Sequence, residues 1–124
     1  MTQILAIAAG GALGALFRYW VSGLTYAVFG RDFPYGTLMV NVTGSLFIGL
    51  CYVLLIERMA DTGVMRAFLV IGVLGAFTTF STFSMETFNL FEQGDYFKVI
   101  INVFASVTLC LMATWVGVIA GRQL

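Results

Sequence analysis

Long apolar segments separated by short polar ones fill almost the whole chain. Stretches without Asp, Glu or Lys, apart from Glu86, run over residues 4–29, 37–56, 67–91 and 99–121. Each has the ~20 residues that a helix needs to cross the hydrocarbon core of a bilayer, which is ~30 Å thick. The pattern predicts an all-α membrane protein in which residues 1–124 form a single domain of four transmembrane helices.

The composition supports this class and excludes others. Of the 124 residues, 60% are hydrophobic and 10% are charged, whereas soluble domains have about 25% charged residues. Six basic residues balance six acidic ones without forming a basic cluster, so we expect no nucleic-acid partner. Cys51 and Cys110 stand alone and the chain has no His, which argues against a zinc or haem site. The connections, such as residues 57–66, are too short to form a further domain.

The positive charges give little information about orientation. Arg58, Arg66 and Arg122 are predicted on the side of the N-terminus, and Arg31 and Lys98 on the opposite side. Basic residues normally favour the cytoplasmic side of a membrane. A nearly even distribution fits a protein that is oriented by some other feature. It equally fits copies that insert in both directions and pair as an antiparallel dimer.

The first span carries Gly10, Gly14 and Arg18 at intervals of four residues. The two glycines predict close packing against another helix. A guanidinium group within the bilayer is costly, so Arg18 either faces a partner or a water-filled cavity, or extends to the interface.

Polar stripes run along the second and fourth spans, because residues four apart share one face of a helix. Such a stripe either forms hydrogen bonds between helices or lines a hydrophilic path, and two full-length stripes in so small a protein favour the path. Asn41 has the strongest need of a partner, since its carboxamide carries both donors and an acceptor. The stripes consist of Thr37, Asn41 and Ser45 on the second span, and of Asn102, Ser106, Cys110 and Thr114 on the fourth.

The third span contains the most unusual segment, Gly-Ala-Phe-Thr-Thr-Phe-Ser-Thr-Phe-Ser from Gly75 to Ser84, followed by Glu86. Five hydroxyl residues lie within seven positions, and their side chains compete with the helical hydrogen bonds of the backbone. We predict a break of the helix in mid-membrane, with helical pieces over residues 67–77 and 84–91. A continuous helix with a hydroxyl-rich packing face is the alternative. Carbonyl groups freed by a break are good ligands for an alkali cation.

Phe80 and Phe83 are three residues apart, so that one helical turn places both rings on the same side. Paired phenylalanines usually serve packing. An aromatic ring has a negative face and a positive edge, so rings presented edge-on could instead receive a small anion that has lost its water. A fixed Lys or Arg would hold such an anion too tightly for release.

These motifs resemble the Fluc (CrcB) fluoride-channel family over all four spans. The resemblance is carried by Gly-x-x-Thr-Thr-Phe-Ser-Thr-Phe-Ser from Gly75, by Gly-Thr-Leu-Met-Val-Asn ending at Asn41, and by the pattern Gly10, Gly11, Gly14 and Arg18. It implies a passive, highly selective fluoride channel that exports the ion down its electrochemical gradient and confers fluoride resistance. It also implies a bacterial-type inner membrane and an antiparallel, dual-topology homodimer with two pores.

The resemblance further implies roles for particular residues. Asn41, Phe80, Phe83 and Ser106 would line the pore and bind the anion, and the carbonyl groups of Gly75 and Thr78 from both subunits would hold a structural sodium ion at the dimer centre. Arg18 and Glu86 match charged positions of the family, with their roles left open. Some relatives carry an aromatic residue in place of Asn102 and a Ser in place of Cys110. Other members of the polar track would be Thr37, Ser45, Thr79, Ser81, Thr82, Asn102, Cys110 and Thr114.

Other functional classes make different demands on the sequence. A small multidrug-type proton-coupled antiporter needs a carboxyl group buried in the membrane, and Glu86 is the one acidic residue within the four apolar segments. A non-transporting membrane scaffold would use the stripes only as helix contacts and leaves the Thr-Thr-Phe-Ser-Thr-Phe core unexplained. An enzyme is not expected, because neither His nor paired acids are present to activate the Ser and Thr hydroxyls.

Overall fold

The computed structural model describes residues 1–59 and 63–124, and within these ranges it contains helices and no strands. Residues 60–62, in the predicted connection 57–66, lie outside the described residues. Helix α1 covers Thr2–Phe29, and α2 covers Tyr35–Tyr52 and continues as a π-helical turn, Val53–Glu57. Helix α3 (residues 63–77) joins Gly63–Arg66, the π-helical Ala67–Leu74 and Gly75–Phe77. Helix α4 covers Phe80–Glu92 and α5 covers Tyr96–Gln123.

Among the described residues, four helical units are long and apolar enough to cross a membrane. They are Thr2–Phe29, Tyr35–Glu57, Gly63–Glu92 and Tyr96–Gln123. The prediction of an all-α protein with four membrane-capable helices is therefore confirmed. Large apolar side chains such as Trp115 and Phe104 are exposed on the outside of the bundle, where lipid can cover them.

The helix of the third span is interrupted at Thr78 and Thr79, between α3 and α4. Both residues have extended backbones, with φ −80° and ψ 157° at Thr78 and φ −152° and ψ 111° at Thr79. The Thr79 hydroxyl accepts a hydrogen bond from the backbone N–H of Thr82 at 3.2 Å, which is the usual cap of a helix N-terminus. Because of this cap, α4 begins at Phe80 and not at Ser84 as the sequence analysis expected, and both Phe80 and Phe83 lie on its first turns.

Glycines allow α1 to pack closely on α3. A Cβ atom at Gly14 would overlap the carbonyl oxygen of Val73, and one at Gly10 would overlap the carbonyl oxygen of Phe68. The close packing predicted from Gly10 and Gly14 is therefore present, and α3 is the partner.

A second close pair is formed by α2 and α5. A Cβ atom at Gly49 would overlap the carbonyl oxygen of Thr114, and one at Gly117 would overlap that of Leu46. Further along the same two helices, Asn41 and Ser106 line one cavity.

Candidate functional site

A cavity of about 460 Å³ lies beside the interruption of the third span. Its wall is formed by residues from α2, α3, α4 and α5, and among the described residues that line it none is charged. The predicted site residues in this wall are Asn41, Ser45, Gly75, Thr78, Thr79, Phe80, Phe83, Ser106 and Cys110. The cavity therefore offers hydroxyl, amide and backbone dipoles together with aromatic rings.

The two phenylalanine rings stand next to each other in the cavity wall. The centroids of Phe80 and Phe83 are 5.4 Å apart and their planes are inclined by 43°, a tilted arrangement within the range that aromatic pairs prefer. Phe80 is 78% exposed in the single chain, whereas Phe83 is half-buried. The ring of Phe80 is therefore free to contact lipid or another chain.

Asn41 holds the interrupted backbone. Its Nδ2 donates to the carbonyl oxygen of Thr79 at 3.0 Å, and its Oδ1 accepts from the backbone N–H of Thr79 at 2.7 Å. In an unbroken helix that N–H would donate to the carbonyl group of Gly75, four residues earlier. The carboxamide thus replaces a helical hydrogen bond and leaves the Gly75 carbonyl without its usual donor.

The capping hydroxyl of Thr79 has the same effect one turn later. The N–H of Thr82, which would donate to the carbonyl group of Thr78 in an unbroken helix, donates to Thr79 Oγ1 instead. Thr79 Oγ1 in turn donates to Thr82 Oγ1 at 2.9 Å and lies 3.3 Å from Ser81 Oγ. The carbonyl groups of Gly75 and Thr78 are therefore both separated from their helical donors, and both residues line the cavity.

Ser106 presents a buried hydroxyl group to the cavity. The residue is 8% exposed, and its Oγ has no hydrogen-bond partner within residues 1–59 and 63–124. Ser and Thr in helices often donate back to their own helix, as Thr114 does to the Cys110 carbonyl oxygen at 3.0 Å. Ser106 instead keeps a donor available for whatever occupies the cavity.

Several other residues of the predicted track lie outside this wall. Thr37 is buried elsewhere, Ser81 and Thr82 are exposed, and Thr114 is half-buried beside Gly49. Asn102 is 1% exposed and donates from Nδ2 to Thr87 Oγ1 at 2.8 Å. Residues spaced four apart therefore share one helix face, but their side chains do not all line the cavity.

The two charged candidates also lie apart from the cavity. Arg18 is half-buried on α1. Glu86 accepts a hydrogen bond from the Tyr26 hydroxyl at 2.8 Å, and its Oε2 is buried without a partner among the described residues. Glu86 and Tyr26 line a second cavity of about 370 Å³, together with Arg31 and Lys98.

The sequence patterns do not mark two residues that take a direct part in these contacts, Tyr26 and Thr87. Tyr26 reaches Glu86 across 60 positions of the chain, a distance that no local pattern reveals. Thr87 follows Phe83 by four residues and donates to its carbonyl oxygen at 2.7 Å. That spacing is a signal that could have pointed to Thr87.

Fold and cavity together define a small multi-pass membrane protein with an uncharged, partly polar cavity among its helices. Comparison with known proteins identifies its family. The model of the family described as "CrcB-like protein, Camphor Resistance (CrcB)" matches residues 5–118. The chain belongs to this family.

Curated relatives extend over the whole chain. A protein of Geobacter sulfurreducens is 52% identical over 124 residues, which cover 100% of both chains. One of Coxiella burnetii is 48% identical over 123 residues, 98% of this chain and 99% of the relative. One of Methylococcus capsulatus is 53% identical over 122 residues, 98% of this chain, which spans only 54% of that longer relative. All three are named fluoride-specific ion channel FluC.

Proposed function

We propose that this protein is a passive, highly selective fluoride channel. Its family and the names of its relatives support this function. The observation that carries it is the cavity lined by the rings of Phe80 and Phe83 and by the hydroxyl group of Ser106, which has no hydrogen-bond partner in the described part of the chain. A buried hydroxyl donor of this kind can form a hydrogen bond to a small dehydrated anion.

The uncharged wall explains how the ion could both enter and leave. Dehydration of fluoride costs a large free energy. A hydrogen bond from Ser106 and the ring edges of Phe80 and Phe83 would offset part of it. A fixed cation in the wall would bind the anion more strongly and slow its release. Neutral donors allow conduction down the electrochemical gradient without a fuel.

The freed carbonyl groups of Gly75 and Thr78 fit a bound sodium ion. Hard cations prefer oxygen ligands, and backbone carbonyl groups near the middle of a membrane act in this way at broken helices. Two such groups are too few to surround a sodium ion, so a second copy of the chain would have to contribute its own pair. The ion would hold the two copies and the two interrupted spans together.

A homodimer of antiparallel copies would also complete the cavity. The ring of Phe80 lines the cavity and is 78% exposed in the single chain, so a second copy could cover it. The nearly even distribution of basic residues is compatible with insertion in both directions. Within a bacterial-type inner membrane, such a dimer would release fluoride from the cell and so confer resistance to it.

The surroundings of Glu86 do not favour a proton-coupled antiporter. Such a transporter would need the carboxyl group in the cavity that binds its cationic, largely apolar substrate. Glu86 instead bonds to Tyr26 and lines the second cavity, where Arg31 and Lys98 add positive charges.

Fluoride efflux from liposomes tests the function. Vesicles containing the purified protein are loaded with potassium fluoride, and the fluoride released is followed with an electrode after valinomycin is added to carry potassium. We expect release that depends on valinomycin, and none of chloride from vesicles loaded with potassium chloride. Equal chloride release would contradict selectivity, and fluoride release without valinomycin would contradict passive electrogenic conduction.

Labelling of the termini tests the antiparallel arrangement. A peptide tag at the N-terminus should be accessible to a membrane-impermeant reagent on both sides of the inner membrane, in comparable amounts. Labelling from one side alone would contradict dual topology while leaving the transport function open to the efflux assay.

A further inference from the structure

Asn102 lies between α5 and α4, away from the wall of the 460 Å³ cavity. It is 1% exposed, and its Nδ2 lies 2.8 Å from the Oγ1 atom of Thr87. A buried carboxamide is costly unless it is hydrogen-bonded. The contact with Thr87 therefore fixes the position of α5 against the helix that carries the two phenylalanines.

Thr87 connects this contact to the backbone of Phe83. Its hydroxyl donates to the carbonyl oxygen of Phe83 at 2.7 Å. A hydroxyl group has a single proton to donate, and because that proton is used on Phe83, Thr87 must accept from Asn102. The three groups form a chain of hydrogen bonds with one direction, and each bond in such a chain strengthens its neighbour.

This chain of hydrogen bonds ends on Phe83, whose ring lines the cavity. Phe83 lies on α4, and the contact between Asn102 and Thr87 fixes the position of α4 against α5. Because the orientation of a side chain depends on the backbone that carries it, that contact also restricts where the ring of Phe83 stands. Ring orientation matters for an anion, because the edge of the ring is positive and its face is negative.

We propose that Asn102 and Thr87 are positioning residues that hold the Phe83 ring in its conducting orientation and do not touch the anion. The consequence for flux rests on the proposed fluoride-channel function. The consequence for the ring does not, since it concerns the geometry of α4 and α5 alone.

The test combines fluoride efflux with a spectroscopic reading of the ring. Thr87→Val keeps the shape of the side chain and removes its hydroxyl, whereas Thr87→Ser keeps the hydroxyl. Asn102→Leu removes the donor at the other end. Thr108→Val is the matched control, because Thr108 is an exposed residue of α5. Each change is also made in protein carrying 4-fluorophenylalanine at position 83, whose fluorine-19 resonance is recorded in detergent.

We expect Thr87→Val to lower fluoride efflux about tenfold, since it leaves the buried Asn102 donor unsatisfied. Asn102→Leu should lower it about threefold, the effect of one interhelical hydrogen bond in a membrane. Fluoride efflux in the double variant with both Thr87→Val and Asn102→Leu should be no lower than in Thr87→Val alone, because both changes break the same chain of hydrogen bonds. Thr87→Ser and Thr108→Val should resemble the unchanged protein. The fluorine resonance should shift or broaden in the two disruptive variants only.

Unchanged efflux and an unchanged resonance in Thr87→Val would overturn the proposal, as would equal damage by Val and Ser or fully additive effects of the two changes. If Thr87→Val does not yield a monodisperse protein, Thr87→Cys, with its weak donor, replaces it and should give an intermediate effect. If the unchanged protein releases no fluoride, the proposed function fails, and the resonance still decides whether Thr87 positions the ring.

Discussion

The carboxamide of Asn41 and the backbone of Thr79 exchange two hydrogen bonds, of 3.0 Å and 2.7 Å, across 38 positions of the chain. The pair joins α2 to the interruption between α3 and α4. It also takes from the Gly75 carbonyl group the N–H that a continuous helix would provide. One side chain therefore both stabilises the interruption and exposes an oxygen atom beside the cavity.

Asn41→Ala should destabilise the protein and abolish most of the fluoride efflux. The change leaves the N–H and C=O groups of Thr79 unpaired, at a cost of ~1–3 kcal/mol for each buried group. Thermal unfolding in detergent measures the first effect and liposome efflux the second. Thr43→Val is the control on the same helix, because the Thr43 hydroxyl donates to Met39 of its own helix at 2.7 Å. Native stability of Asn41→Ala would show that the pair does not hold the interruption.

Sodium should stabilise the protein against thermal unfolding, if the carbonyl groups of Gly75 and Thr78 hold the ion. A ligand that binds only the folded state adds ~2.7 kcal/mol at a concentration of 100 times its dissociation constant. The measurement compares unfolding temperatures in sodium and in N-methylglucamine at equal ionic strength. The difference should shrink in Asn41→Ala, because the interruption that separates the Gly75 carbonyl group from its helical donor loses the side chain that holds it. An equal unfolding temperature in both cations would argue against the site.

Phe80→Ile and Phe83→Ile should each reduce fluoride efflux at least about tenfold, equivalent to ~1.4 kcal/mol of barrier. Ile is apolar but has no positive ring edge to offer an anion. Phe104→Ile serves as the control, since Phe104 is 70% exposed on α5. The oligomeric state of each variant is checked by size-exclusion chromatography. Unchanged efflux would assign both rings to packing.

The sequence could predict the four spans because bilayer thickness fixes both the length and the hydropathy of a membrane helix. It could also point to Thr78 and Thr79, because clustered hydroxyl residues weaken a helix. The restart of the helix at Phe80 could not be predicted, since it depends on the cap that Thr79 forms.

The hydrogen-bond partner of each polar residue in a stripe also could not be predicted from the spacing. Ser106 and Thr114 lie on one face of α5, yet Thr114 bonds to its own helix and Ser106 does not. Asn102, on the same face, bonds to Thr87 of α4. Spacing along a helix identifies a face, whereas the partner of each group depends on which neighbouring helix lies opposite.

Ser106→Ala should change stability and transport in opposite directions. The Ser106 hydroxyl is buried and has no partner in residues 1–59 and 63–124, so its removal relieves a desolvation cost of ~1–3 kcal/mol, and the unfolding temperature should stay equal or rise. The same change removes a donor to the anion, and fluoride efflux should fall about fivefold. Thr108→Val, which removes an exposed hydroxyl from the same helix, should alter neither. A loss of stability without a loss of efflux would show that the Ser106 hydroxyl has a structural role.

Gly14→Ala and Gly11→Ala, three positions apart on α1, should differ sharply in their effect on folding. A Cβ atom at Gly14 would overlap the carbonyl oxygen of Val73, whereas one at Gly11 meets none of the described residues within 4 Å. Overpacking of this kind typically costs ~1–3 kcal/mol, and a backbone carbonyl group cannot move aside as a flexible side chain can. Gly14→Ala should therefore lower the unfolding temperature and the yield of monodisperse protein, while Gly11→Ala should equal or exceed the unchanged protein, since Ala favours helix over Gly. Equal behaviour of the two variants would mean that the contact between α1 and α3 is not the close backbone approach described above, and that α1 can move away from Val73 at little cost.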